Sequence, residues 1–260
     1  SRIFGFIRDV IFANFLGTGL VADVFYVAFR FPNTFRRIFS EGALNSSFIP
    51  VYSKLLDQED KKEANVFAGN ISLILFFITF IILVLAEIFM PKFISILAPG
   101  FIEDPIKFNQ LIISSRITFP FLVLITMCSI YSSILNAHGK FAISAALPII
   151  LNITLILAAL TAYYLEASIL IILSFSVIIA GTLQFLLLIF SIKKNNIQIN
   201  YLKSFYINGL KKFSKLFVPS IFSSGLLQIN ILIGTIIASY QSGAVSYLYY
   251  ADRIYQLPLA

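Results

Sequence analysis

All seven arginines of this chain (Arg2, Arg8, Arg30, Arg36, Arg37, Arg116 and Arg253) fall inside strongly apolar stretches, whereas all twelve lysines fall in loops or at the ends of those stretches. A general demand for positive charge does not sort the two residue types in this way. Guanidinium is more weakly hydrated than ammonium and grips phosphate-like oxygens through a planar fork, so it suits an anion site away from bulk water. A charge at bilayer depth costs roughly 2.5 to 3.5 kcal/mol on insertion scales, so such residues face a cavity or a partner. The competing reading is structural: the arginines snorkel to the interface, or pair with Asp9, Asp23, Glu41 and Asp252. It fits Arg116, near the start of its segment. Arg8 and Arg253 each lie about ten residues, roughly 15 Å along a helix, from a glycine-containing turn, which is beyond snorkelling range and favours a cavity.

The densest polar stretch is residues 23–50, DVFYVAFRFPNTFRRIFSEGALNSSFIP, with Asp23, Arg30, Asn33, Arg36, Arg37 and Glu41. Asp23, Arg30 and Arg37 recur every seven residues and share a helix face, with Glu41 one turn on and Arg36 at the edge. A helix from Leu20 to Lys54 would be about 50 Å long, more than the bilayer core, so it must tilt, bend or emerge. Pro32 removes a backbone hydrogen bond and is the expected hinge. In residues 1–16, Ser1, Arg2, Gly5, Arg8 and Asp9 fall within an arc of about 120°, a polar stripe on an apolar rod.

These elements belong to an all-α polytopic membrane protein. The chain is 59% hydrophobic and 12% charged, where a soluble domain carries about 25% charged residues. Its apolar runs do not alternate as barrel strands do. Further spans are expected at 66–90, 111–135, 141–164, 168–191, 213–240 and from 244, with charged or polar loops at 53–65 and 97–109. The basic interval 193–212 divides a first lobe of about six helices (1–192) from the start of a second lobe (213–260). Ten lysines fall on one side of the alternating spans and two, Lys92 and Lys107, on the other. This bias places loops 53–65, 136–140 and 193–212 in the cytoplasm. ANFLGTGLVADVFYVAFR (13–30) and ASYQSGAVSYLYYADR (238–253) share an order of aromatic, small turn, paired aromatics and Arg, as in internally repeated transporters. The chain opens at Ser1 with no signal peptide and stops within a helical pattern, so a longer transporter-like protein is expected.

Other chemistry has little to work with. Cys128 is the only cysteine and His138, in the turn NAHGK, the only histidine. There is no P-loop, zinc cluster or catalytic triad pattern.

The blocks SRIFGFIRD, ADVFYVAFRFPNTFRRIFSEGALNSSFIP, LAPGF (97–101), LNAHGKF (135–141) and YYADR (249–253) together resemble the MurJ/MviN family, lipid II flippases of the multidrug/oligosaccharidyl-lipid/polysaccharide exporter superfamily. The resemblance runs through the whole chain. It implies two six-helix lobes around a central cavity, of which this chain supplies the first lobe and the first two helices of the second, the last of them incomplete. It implies that Arg2, Arg8, Arg36 and Arg253 bind the diphosphate of the undecaprenyl-diphosphate-linked disaccharide-pentapeptide. Asp9, Asp23, Asn33, Arg37, Glu41 and Ser246 take supporting cavity or gating positions. Helical spacing alone does not favour Arg36 over Arg37. The expected activity is alternating-access transport in the bacterial cytoplasmic (inner) membrane, without catalytic residues, metal or cofactor, driven by the membrane potential or an ion gradient. Expected partners are lipid II, membrane lipids and the cell-wall synthesis machinery, and no nucleic acid. The rival readings are an exporter of another polyprenyl-linked glycan, a MATE-like drug exporter, and a polyprenyl-dependent membrane glycosyltransferase. The last would need acidic loop residues, for which Glu103 and Asp104 are the adjacent pair.

Overall fold

The computed structural model describes residues 2–57, 61–201 and 209–256, with the side chains of Arg2, Ser40, Glu41, Gly42, Leu227 and Gln256 outside the description. Among the described residues the secondary structure is helical throughout. Five segments of the described residues are long and apolar enough to cross a membrane: Lys61–Ile88, Pro105–Ala137, Phe141–Tyr164, Ile169–Lys194 and Leu210–Ala238. Three of the helices that fall short (α1, Arg2–Leu16; α2, Leu20–Arg36; and the last helix, Ala244–Gln256) carry Arg8, Asp9, Asp23, Arg30, Arg36, Asp252 and Arg253.

The long second helix is not simply bent at Pro32. α2 continues through the proline, and the departure from α geometry comes at Arg37–Ala43, a π-helical segment that leads into α3 (Leu44–Asp57). A proline costs a helix one hydrogen bond, whereas a π segment shifts the register of every following residue, so the change in facing falls beyond Arg36. The charged loop expected at 53–65 is mostly helix. α3 runs to Asp57 and α4 (Lys61–Ile88) starts soon after, because Lys, Glu and Ala are good helix formers outside the bilayer too. The loop expected at 97–109 is also largely helical: α5 (Met90–Leu97), a 3₁₀ turn at Pro99–Glu103, and α6 (Pro105–Thr118). Asp104 caps α6, its Oδ1 accepting the N–H groups of Ile106 and Lys107 at 3.0 and 3.1 Å, with Pro105 in the first turn. The candidate acid pair Glu103 and Asp104 thus divides between the end of a turn and a helix cap. α7 (Phe121–Ala137) follows α6 across a break at Phe119-Pro120, then α8 (Phe141–Tyr164), α9 (Ile169–Lys194), α10 (Leu210–Ala238) and α11 (Ala244–Gln256).

The helix ends gather into two faces. At the lysine-rich face Tyr52 Oη lies 3.1 Å from His138 Nε2, and Asn200 donates its N–H to the Asn65 carbonyl at 3.1 Å. Burial first, and the Lys61 ammonium second, hold the His138 pKa below its ordinary value, which leaves a neutral hydrogen-bonding ring in this turn. Within the basic interval, the backbone of Asn200 sits where a Cβ on Gly69 would fall, so the start of the linker is pressed onto α4. At the opposite face Gly100 donates its N–H to Ser239 Oγ at 3.0 Å. Arg116 approaches Glu87 at 3.9 Å, a half-exposed pair remote from the arginine cluster, in line with its structural reading.

The core is aromatic and continuous. Phe12, Phe25, Phe48, Phe67, Phe101 and Phe121 are each almost completely buried. Outward faces are apolar as well, with Phe77, Ile81 and Leu85 on α4 and Phe222, Leu226 and Ile237 on α10 exposed, as a bilayer solvent requires.

Candidate functional site

α1, α2 and α11 converge on a cavity of about 760 Å³ that extends to Asn136 and Ser144 near the lysine-rich face. Among the described side chains its charged lining is Arg8, Arg30, Arg36, Arg37 and Arg253 against Asp9 and Asp252. These five guanidinium groups face two carboxylates, a cationic balance among the described residues.

Arg8 organises the deepest part. It is 7% exposed. Its Nε and Nη2 donate to Asp9 Oδ1 at 3.0 and 2.6 Å, Nη1 donates to Asn152 Oδ1 at 2.9 Å, and Nη2 donates to Tyr249 Oη at 2.9 Å. Adjacent helical residues do not normally face each other, so the Arg8–Asp9 pair closes over the side of α1 instead of along it. Tyr249 Oη donates to the same Asp9 oxygen at 3.2 Å, and Arg253 Nε lies 3.6 Å from Asp9 Oδ2. The Arg253 guanidinium sits 4.9 Å from the Tyr249 ring centroid, and that ring stacks on Tyr26 at 3.8 Å. One carboxylate therefore faces two guanidinium groups, an arrangement that retains net positive charge for an incoming anion.

α2 supplies the adjoining wall. Arg36 Nε donates to Asn33 Oδ1 at 2.9 Å, one turn back, and both residues line the cavity with Arg37. Arg30 donates to Thr235 Oγ1 and so ties α2 to α10. Arg2 and Glu41 lie outside the described side chains. Pro32 is buried within α2 and is not part of the cavity wall.

Asp23 and Ser246 form a separate constellation, beyond the cavity and away from the lysine-rich face. Asp23 is fully buried. Its Oδ1 accepts the Ser246 N–H at 2.9 Å and its Oδ2 accepts the Gly243 N–H at 2.9 Å, which caps the start of α11. Ser246 Oγ lies 2.9 Å from both Asp23 Oδ1 and the Gly243 carbonyl, with one proton to serve them. Lys107 Nζ donates to Asp23 Oδ2 at 2.7 Å and lies 3.8 Å from the Phe101 ring centroid. Lys107, expected in an open loop, is thus 6% exposed and neutralises the acid. The reason is the Asp104 cap, which starts α6 early and turns the lysine stem inward.

The turns at 17–19 and 241–243 meet here. Gly243 has φ +76°, and a Cβ on it would lie 2.6 Å from the Thr18 carbonyl. Tyr250 Oη donates to the Gly17 carbonyl at 3.1 Å. Gly243→Ala adds a methyl group where two backbones touch in a left-handed conformation. It is expected to lengthen the distance between spin labels at Asn14 and Gln241, read by pulsed electron resonance, against a Gly225→Ala control at an open position.

Residue patterns alone did not mark Tyr249, Asn152 or Lys107. Arg30 was visible in the seven-residue spacing, and Tyr249 sat within the YYADR block. A neutral Asn in an apolar helix carries no signal of which neighbour it faces.

A family profile described as "Lipid II flippase MurJ" matches residues 12–260. The chain is 39% identical over its full length to a "Probable lipid II flippase MurJ" of Rhizobium tropici, covering 49% of that protein. It is 40% identical over its full length to a protein of the same description from Rickettsia prowazekii (strain Madrid E), covering 51% of it. The chain thus spans about half the length of the curated relatives it matches. A solved structure titled "Lipid II flippase MurJ, inward closed conformation" superimposes with a TM-score of 0.82 at 32% identity, over 99% of this chain and 53% of the other. An inward-facing multidrug transporter of the MATE family and MOP superfamily gives a TM-score of 0.77 at 15% identity, over 99% of this chain and 58% of that one, a likeness of fold alone.

Proposed function

The chain belongs to the lipid II flippase MurJ family, and from that premise we propose that it forms the headgroup-receiving part of a lipid II flippase in the bacterial cytoplasmic membrane. The observation that carries this reading is the cationic cavity at mid-helix depth, which reaches the lysine-rich face and is separated from the other face by the Asp23 constellation. The diphosphate of the undecaprenyl-linked headgroup meets Arg8, Arg253 and Arg36, while the polyprenyl tail stays in lipid. Guanidinium forks bind its oxygens in a site of low dielectric, where such bonds are strong.

Transport follows by alternating access. Residues 1–192 act as a first lobe, and residues 213–260 begin a second. Parting of the two glycine turns opens the outer face, and the headgroup leaves on that side. The protein acts as a transporter and not as an enzyme, because no bond of the cargo changes. The membrane potential or an ion gradient supplies the bias, since one charge moved through 100 mV is worth about 2.3 kcal/mol. The cell-wall synthesis machinery is the natural consumer of the delivered headgroup. A cationic drug would meet five guanidinium groups, which disfavours that cargo.

The test is replacement of the resident flippase in a depletion strain by the complete protein. Recovery of growth together with labelled lipid II headgroup at the outer surface is the expected result. Correct membrane insertion without translocated headgroup would sink the proposal.

A further inference from the structure

Among the described residues, the seven charged ones that line the cavity all come from α1, α2, the π-helical segment and α11. The facing wall, built by α7, α8 and α9, contributes only neutral residues among those described: Ser129, Ser132, Asn136, Ser144, Asn152 and Gln184 between apolar side chains. Ser144, Pro148 and Asn152 are spaced by four and share one face of α8, a stripe about 12 Å long at 1.5 Å per residue. Pro148 has no N–H, so the carbonyl of Ser144 lacks its usual helical donor. At its deep end the stripe joins the charged side through Asn152, which accepts from Arg8 at 2.9 Å.

Two members of this wall are buried and incompletely paired. Gln184 on α9 is 2% exposed and Ser132 on α7 is 7% exposed. The Gln184 amide donates through Nε2 to the Leu147 carbonyl at 2.6 Å, which fixes its other end as an oxygen. Neither Gln184 Oε1 nor Ser132 Oγ has a hydrogen-bond partner among the described residues. Their neighbours are satisfied: Ser129 Oγ donates to the Ile125 carbonyl at 2.8 Å, and Ser144 Oγ to Asn136 Oδ1 at 2.8 Å. Buried polar atoms without partners are rare in folded proteins and mark places where a ligand or water completes the bonding. A wall that offers neutral acceptors and a hydroxyl, with no charge, suits a ligand rich in O–H and amide N–H donors and uncharged itself.

We propose that the α7–α9 wall is a subsite for the uncharged sugar portion of the headgroup, with Gln184 and Ser132 as its specificity-determining residues. This rests on the flippase reading and divides the cavity into a charged side that holds the diphosphate and a neutral side that reads the glycan. The 12 Å stripe along α8 runs from the diphosphate-binding arginine towards the lysine-rich face, so sugars attached to a bound diphosphate lie along it.

The experiment measures binding of the complete protein, in detergent, to three probes: undecaprenyl diphosphate, undecaprenyl-diphosphate-linked disaccharide without peptide, and lipid II. Gln184→Leu and Ser132→Ala are each expected to weaken the disaccharide lipid and lipid II about five- to ten-fold, the size of one lost hydrogen bond, with undecaprenyl diphosphate unchanged. Loss confined to lipid II would move the contact to the peptide and overturn the sugar assignment. Equal loss for all three probes by either variant, or no loss for any, would assign the residue to helix packing and overturn it too. Wild-type protein that holds undecaprenyl diphosphate as tightly as the disaccharide lipid would overturn the wall while leaving the diphosphate reading intact. Wild-type protein that binds none of the three would overturn both.

Discussion

Asp23→Ala is expected to abolish transport and leave the outer face open. The carboxylate accepts from Lys107 and from two backbone N–H groups of the α11 start, all while fully buried. Removing one partner of a buried ion pair leaves the other charge uncompensated, a loss of about 3–5 kcal/mol. The lost helix cap adds about 1 kcal/mol. A shift of that size moves a two-state equilibrium by more than a hundredfold, enough to invert most populations. Spin labels at Asn14 and Gln241 read the result as a longer distance in Asp23→Ala than in wild type. The double variant Asp23→Leu/Lys107→Met removes both charges together and is expected to recover part of the short-distance population. If Asp23→Ala keeps the wild-type distance, the acid does not hold the outer face closed.

Arg8→Ala is expected to weaken undecaprenyl diphosphate binding by roughly ten- to a hundredfold, the range of one charge-assisted hydrogen bond. The loss has two sources. One guanidinium leaves the cavity, and Asp9 is left facing the anion with less compensation. Arg253→Ala is expected to act in the same direction, since its guanidinium approaches the second oxygen of the same Asp9. Arg8→Lys is not expected to restore binding, because a single ammonium cannot reach Asp9, Asn152 and Tyr249 in the fixed fork geometry seen here. Arg116→Ala, paired with Glu87 near the surface, serves as the control with unchanged affinity. Wild-type affinity in Arg8→Ala would exclude the deep arginine cluster as the diphosphate site.

The all-α membrane architecture could be read from composition, and the arginines stood out because charge in an apolar run is visible without a structure. What pattern reading missed lies at helix ends and in neutral residues. Hydropathy reports bilayer thickness and not helix length, so residues 53–65 and 97–109 read as loops although α3, α4 and α6 extend through much of them. Lys107 was misplaced for that reason, although the Asp104-Pro105 pair is a recognisable helix start. Pro32 is a plain sequence signal for a bend, yet the π-helical segment that follows at Arg37–Ala43 has no such signature. Tyr249, Asn152 and Gln184 acquire their roles only through packing between distant helices, which no spacing within one segment encodes.

α11 carries Ser246 at its start and Tyr249 and Arg253 three and seven residues later. The first is held by Asp23 at the outer face, and the other two complete the cluster around Arg8 and Asp9. A rigid rod cannot leave one set of partners without disturbing the other. Departure of α11 from Asp23 therefore dismantles the anion cluster in the same stroke, and by thermodynamic reciprocity whatever occupies that cluster changes the ease of departure. A single thirteen-residue helix thus links the Asp23 contact and the Arg8–Asp9 cluster mechanically, without a separate messenger between them.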